Sequence, residues 1–133
     1  MEIFVYGTLT DPSMVEQVLG DEPFSFNGQA VLEGLHRVEC AYPTLMPGGK
    51  TPGRILQTDA VELLDRYEGV NQGLYIRQPV PVAEQSTTVD VYLGNPSRLS
   101  CDENDWREEQ AFADTVSTYI TEQNVVLTKT VCE

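Results

Sequence analysis

No apolar run in this chain continues for long without meeting a glycine or a proline, and this punctuation limits what it can fold into. Ile3-Phe4-Val5-Tyr6 stops at Gly7, and Ala30-Val31-Leu32 and Leu35-His36-Arg37-Val38 are interrupted by Gly28 and Gly34. Arg54-Ile55-Leu56-Gln57 follows Gly53, and Val89-Asp90-Val91-Tyr92-Leu93 ends at Gly94-Asn95-Pro96. Runs this short, rich in branched and aromatic residues, read as strands, the first buried and the last alternating as if half-buried. Glycines inside such runs fit the bulges and bends of a strongly curved sheet. Pro79 and Pro81 restrict residues 75–83 to an edge strand or an irregular stretch, and Pro47-Gly48-Gly49-Lys50 reads as a turn.

Helices are few. Asp11-Pro12 supplies an N-cap and a first-turn proline, Met14, Val15, Val18 and Leu19 a buried stripe, and Gly20 a stop. Residues 102–123 read as a longer amphipathic helix, acidic at its start, with Phe112, Val116, Tyr119 and Ile120 on one side; Val125-Val126-Leu127 suggests a last strand. Short strands with few helices place the chain in the α+β class, as a small mixed β-barrel with flanking helices. Without repeats or low-complexity linkers, residues 1–133 are expected to form a single domain.

Charge narrows the partners. Eight Lys and Arg stand against 21 Asp and Glu, a net of −13. Such a surface repels nucleic acid and anionic lipid, and suits a salt-rich host in which self-repulsion is screened. No apolar run approaches the roughly 18 residues of a membrane span, and the chain opens directly on a strand-like run, so a soluble, cytoplasmic protein is expected. Cys40, Cys101 and Cys132 are odd in number and scattered, which favours reduced thiols. His36, the lone histidine, has no partner at metal-ligand spacing, so neither a metal nor a cofactor is expected.

The stretch from Asp59 to Gly69 carries the most chemical information. Asp59 and Glu62 have capping-box spacing, and Gly69 sits where a left-handed C-terminal cap is wanted. Val61, Leu64 and Glu68 share one helical face, leaving Glu62, Asp65 and Arg66 to face water. Glu68 would then meet the negative end of the helix dipole and be partly buried, both of which raise a carboxyl pKa. Such a group suits general acid/base work near neutrality, although a solvated helix-end carboxylate has the same spacing.

Other chemistry is sparse. The Gly7-Thr8-Leu9 loop joins a strand to a helix start and can aim backbone N–H groups at an anion, but it is not a P-loop, and a plain tight turn fits it too. No serine lies in a nucleophile elbow, and Cys40 would need the fold to bring it to His36. Tyr6, Tyr42, Tyr67 and Tyr75 flank the glycine and proline turns, as core residues or as the lining of a polar pocket.

Taken in order, the segments leading into Tyr6-Gly7-Thr8-Leu9, then Tyr42-Pro43-Thr44-Leu45, Gly53, Leu64-Asp65-Arg66-Tyr67-Glu68-Gly69 and Tyr75-x-Arg77 resemble the γ-glutamylcyclotransferase-like family, which includes AIG2-like and γ-glutamylamine cyclotransferase proteins. The resemblance spans roughly residues 2–94 and leaves 97–133 uncovered. It implies a barrel with a cavity at its mouth and a small γ-glutamyl compound as partner. Tyr6, Gly7, Thr8 and Leu9 would bind its glutamyl end, Tyr75 would contact it and Glu68 would serve as acid/base, while Arg77 would be structural. The reaction implied is closure of the γ-glutamyl group to 5-oxoproline with release of an amine, needing no metal. A non-catalytic γ-glutamyl or small-anion binding module, or another γ-glutamyl transferase or lyase reaction in the same pocket, are the alternatives. Leu93-Gly94 stands where many relatives carry a larger residue, which leaves the pocket's outer wall open to question. The leaving amine and the oligomeric state are not legible.

Overall fold

A computed structural model describes residues 2–96, 98, 99, 101, 106 and 111–130. Six strands form one mixed sheet in the order β4-β5-β1-β3-β2-β6: β1 Glu2–Val5, β2 Phe24–Glu39, β3 Pro43–Thr58, β4 Tyr75–Pro81, β5 Thr88–Gly94 and β6 Val126–Thr130. β1 runs parallel to β5 and antiparallel to β3; the other neighbours are antiparallel. The two ends of the sheet meet where Val82, just past β4, bridges to Leu127 of β6, and Ala83 N–H donates to the Leu127 carbonyl at 2.9 Å. That local closure makes a half-barrel, the mixed α+β architecture expected.

Among the described residues three α-helices cover it: α1 Pro12–Leu19, α2 Val61–Tyr67 and α3 Phe112–Glu122. Alternation along the strands divides the apolar side chains between two cores. Phe4, Leu32, Ile55, Val91 and Leu93 fill the barrel with Trp106, Val116 and Ile120. Ile3, Val5, Leu56 and Tyr92 face outward and are covered by Val15 and Leu19 of α1 and Val61 and Leu64 of α2. Leu64, fully buried, contributes about 2 kcal/mol through its removal from water.

Most local expectations hold. Asp11 caps α1 by accepting from Ser13 N–H at 2.9 Å, β4 is an edge strand, and Gly28 and Gly34 lie at the two register shifts between β2 and β3. Several do not. Pro47-Gly48-Gly49-Lys50 is no turn: β3 runs straight through it, because the two left-handed glycines absorb the bulge opposite Gly34 while pairing continues on both sides. β5 is buried on both faces rather than half-buried, since helices cover its outer side. Ala60, not Asp59, is the N-cap residue of α2, with no side-chain cap; Thr58 Oγ1 instead accepts from Ala60 N–H at 3.2 Å. The third helix begins at Phe112, after an extended Ala111; residues 102–105 and 107–110 of the expected helix lie outside the described ones, and Trp106 lies in a bend.

The thiol expectation is also corrected: Cys40 and Cys101 form a disulfide, with Cα atoms 4.9 Å apart. They are 61 residues apart in sequence, but the turn after β2 lies against the segment after β5, where Ala41 N–H donates to Leu99 O at 2.9 Å. Sequence scatter carries no information about such a non-local contact. Cys132 lies outside the described residues. Among the described residues no helix is long and apolar enough to cross a membrane.

Candidate active site

A cavity of about 270 Å³ opens between the end of β1, the β2–β3 turn and the C-terminal end of α2. Its wall is mostly aromatic: Phe4, Tyr6, Tyr42, Tyr67, Tyr75 and Tyr92, with Gly7, Leu9, Pro43 and Leu74 between them and Glu68 as its one carboxylate among the described residues. No lysine or arginine lines it among the described residues.

Glu68 reaches this wall because α2 is fixed against the sheet. Val61 and Leu64 pack into the outer core, and Glu68 N–H closes the helix on Leu64 O at 2.9 Å. Gly69 follows in the left-handed conformation, as the sequence suggests. Asp65, expected to face water, does not: one turn before Glu68 it accepts from Tyr92 Oη at 2.6 Å and pairs with Arg77 Nε at 3.2 Å. Arg77 also reaches Asp90 at 3.3 Å, so this network ties the last turn of α2 to β4 and β5. Arg77 is structural here. Tyr92→Phe removes one hydrogen bond to a carboxylate and is expected to lower stability by about 1.5 kcal/mol, read as a lower urea midpoint.

Burial among these rings raises the Glu68 carboxyl from its ordinary 4.5 to about 7. The direction is the one expected from the sequence, with burial as the cause. A carboxyl whose folded pKa is raised holds its proton more tightly folded than unfolded. Its contribution to stability is therefore full below about pH 4.5, falls as pH rises through about 7, and is flat above. Replacing Glu68 by glutamine removes that dependence. We expect the variant to be more stable than the parent above about pH 8, by about 2 kcal/mol given the side chain's partial exposure, in denaturation curves recorded from acid to alkaline pH.

The other expected site residues converge on the same space, with differences in what they offer. Tyr6, Gly7, Leu9 and Tyr75 line the cavity; Thr8 belongs to the 3₁₀ turn Thr8–Thr10, and its side chain lies outside the described residues. Tyr6 Oη donates to Tyr92 O at 2.6 Å and Tyr75 Oη to Pro43 O at 2.5 Å. Both hydroxyl protons are thus committed, and the Tyr6 hydroxyl is also in hydrogen-bond contact with Thr44, so what these tyrosines offer a ligand is chiefly ring surface. Burial, with Glu68 among the nearby charges, raises the pKa of both phenols, which stay neutral. Pro43, Leu74 and Tyr92 were not foreseen as lining, because their approach depends on the fold. Tyr42 and Tyr67, noted in the sequence only as possible pocket residues, stand at the mouth 59% and 41% exposed.

Gly94 stands apart from the pocket's wall. It is buried, with its N–H donating to Thr44 Oγ1 at 2.7 Å and its carbonyl accepting from the same hydroxyl at 3.1 Å. A Cβ there would overlap Leu99 and press on Thr44, so glycine is the residue the packing admits.

Residues 3–108 match the family model described as gamma-glutamyl cyclotransferase, AIG2-like. The chain belongs to this family. The match extends past residue 94, so part of the segment after β5, including Trp106, is family sequence too. AIG2-like protein C of Arabidopsis thaliana is 35% identical over an alignment of 95 residues that covers 65% of this chain and 52% of that protein. The chain thus spans about half the length of the curated relative it matches. A solved gamma-glutamyl cyclotransferase superposes with a TM-score of 0.57 at 14% identity, covering 91% of this chain and 98% of the other. An AIG2-like protein of Mus musculus does so with 0.56 at 24% identity, covering 85% and 91%. At these identities both likenesses speak for the fold.

Proposed function

We propose that this family member is a γ-glutamyl cyclotransferase, converting a γ-glutamyl amine or peptide to 5-oxoproline and a free amine. The observation that carries the reading is Glu68, a carboxyl with a pKa of about 7 on the wall of a small aromatic cavity beside Gly7.

The chemistry suits these groups. In a γ-glutamyl compound the α-amino nitrogen attacks the γ-carbonyl carbon of the same molecule. A five-membered ring closes through a tetrahedral intermediate, and the bond to the leaving nitrogen breaks. The nucleophile belongs to the substrate, so the reaction requires no enzyme nucleophile and no metal. The α-ammonium must first lose a proton and the leaving amine must gain one. Glu68 as carboxylate takes the first proton and as carboxylic acid returns it, a role for which a pKa near the working pH is matched. Walls that hold the glutamyl chain folded convert a floppy cyclisation into a positioned one. The N–H groups of the Tyr6-Gly7-Thr8-Leu9 loop take the α-carboxylate, and the Tyr6 and Tyr75 rings pack on the glutamyl methylenes. The cavity lies near the lower limit of ligand pockets, roughly 300 Å³, in keeping with a substrate of this size.

The test is incubation with a panel of γ-glutamyl amines and peptides, with both products followed by mass. Equal amounts of 5-oxoproline and free amine are expected from at least one member. Saturable binding without product from any of them would instead mark a binding module.

A further inference from the structure

The Tyr6–Thr10 loop is gripped from behind. Arg37 Nη1 donates to Tyr6 O at 2.7 Å, and Arg54 Nη1 donates to Thr10 O at 2.9 Å. Between them, Gly7 O accepts from Thr10 N–H at 3.1 Å and from Thr10 Oγ1 at 2.7 Å. In a planar trans peptide the C=O of one residue and the N–H of the next point in opposite directions. A donor holding Tyr6 O therefore fixes the Gly7 N–H on the other side, and donors holding Gly7 O do the same for the Thr8 N–H.

Each arginine is itself oriented by a second partner. Glu39 takes Arg37 Nε and Nη2, both at 2.7 Å, leaving Nη1 for the loop. Arg54, opposite Val5 on β3, lies over the Phe26 ring at 3.8 Å from its centroid. A guanidinium presents its donors in a rigid fork, so fixing one edge aims the other. Both charges sit behind a loop that is otherwise part of a chain with a net charge of −13.

We propose that Arg37 and Arg54 are positioning residues for carboxylate recognition. Arg37 turns the Tyr6 carbonyl outward and so the Gly7 N–H toward the cavity, Arg54 anchors the far end of the loop at Thr10 O, whose N–H and hydroxyl hold Gly7 O, and both charges offset the acidic field there. This rests on the γ-glutamyl reading above, since the carboxylate in question is the α-carboxylate of that group. Neither arginine lines the cavity, so their action passes through the backbone. The role separates from mere fold support because it favours one ligand group over another.

The test compares binding of 5-oxoproline with that of 2-pyrrolidinone, the same ring without its carboxylate, by calorimetry or ligand-observed NMR. The unaltered chain is expected to prefer 5-oxoproline, and Arg37→Met and Arg54→Met each to lose about tenfold of that preference while 2-pyrrolidinone binding stays unchanged. Equal weakening of both ligands, an unchanged ratio, or no preference in the unaltered chain would overturn the proposal. If Arg54→Met fails to fold after losing its place on Phe26, Arg37→Met, on a half-exposed side chain, carries the test alone. Because no turnover is needed, carboxylate-selective binding without 5-oxoproline release would contradict the proposed reaction and leave the clamp standing. Turnover with an unchanged ratio would contradict the clamp alone.

Discussion

Replacing Glu68 by glutamine is expected to lower turnover of a γ-glutamyl substrate by about a thousandfold while leaving ligand binding close to that of the parent. The amide keeps the size and polarity of the side chain and its place at the end of α2, but it can neither take the proton from the α-ammonium nor return one to the leaving nitrogen. Loss of an interaction made only along the reaction path falls on kcat and kcat/KM alike, with KM little changed. The same substitution is expected to stabilise the protein above about pH 8, because the parent ionises a carboxyl there that burial disfavours. Gain of stability with loss of activity is the signature of a group held in its place for function. A variant retaining a tenth or more of parental kcat would show that Glu68 is not the proton carrier.

The largest effect on stability is expected at Gly53. In the β1–β3 pairing Val5 lies opposite Arg54, and a Cβ built on the neighbouring Gly53 would overlap the Val5 carbonyl oxygen and stand 2.7 and 2.9 Å from two carbons of the Phe4 ring. Neither obstacle is a flexible side-chain end: one is the backbone of the paired strand and the other a fully buried ring. Gly53→Ala must therefore push β1 from β3 or tilt Phe4, at a loss of about 3 kcal/mol. Since β1 leads straight into Tyr6 and Gly7, activity should fall with it. Gly28→Ala is the control: its Cβ meets nothing within 4 Å, and it carries only the strain of a positive φ, about 1 kcal/mol. Urea midpoints for the two variants check this, and equal midpoints would contradict it.

What could be read in advance was whatever depends on near neighbours in the chain. Asp11-Pro12 encodes its own helix start, and Gly69 its own helix end. The spacing from Val61 to Glu68 is enough to place the carboxylate against the apolar side, and hence to set the direction of its pKa. Local patterns fail where a distant partner decides. Asp65 has the sequence surroundings of a surface residue and is taken inward by Tyr92 and Arg77. Gly48 and Gly49 look like a turn until β2 pairs on both sides of them. Closure of the half-barrel by Val82 and Leu127, the Cys40–Cys101 disulfide and the grip of Arg37 on Tyr6 O join residues 31 to 61 positions apart. No spacing rule reaches that far. At the cavity, the ordered motifs pointed to Gly7, Tyr75 and Glu68, whereas Leu74 and Tyr92 became lining only once β4 and β5 were paired.

The most direct test of the central reading is to run the reaction in water enriched in oxygen-18. Attack by the substrate's own amine consumes no water, so the account predicts 5-oxoproline without the heavy isotope, formed in step with the free amine. Glutamate carrying oxygen-18 in its γ-carboxyl group, with no 5-oxoproline, would mean that water is the nucleophile and would contradict the account.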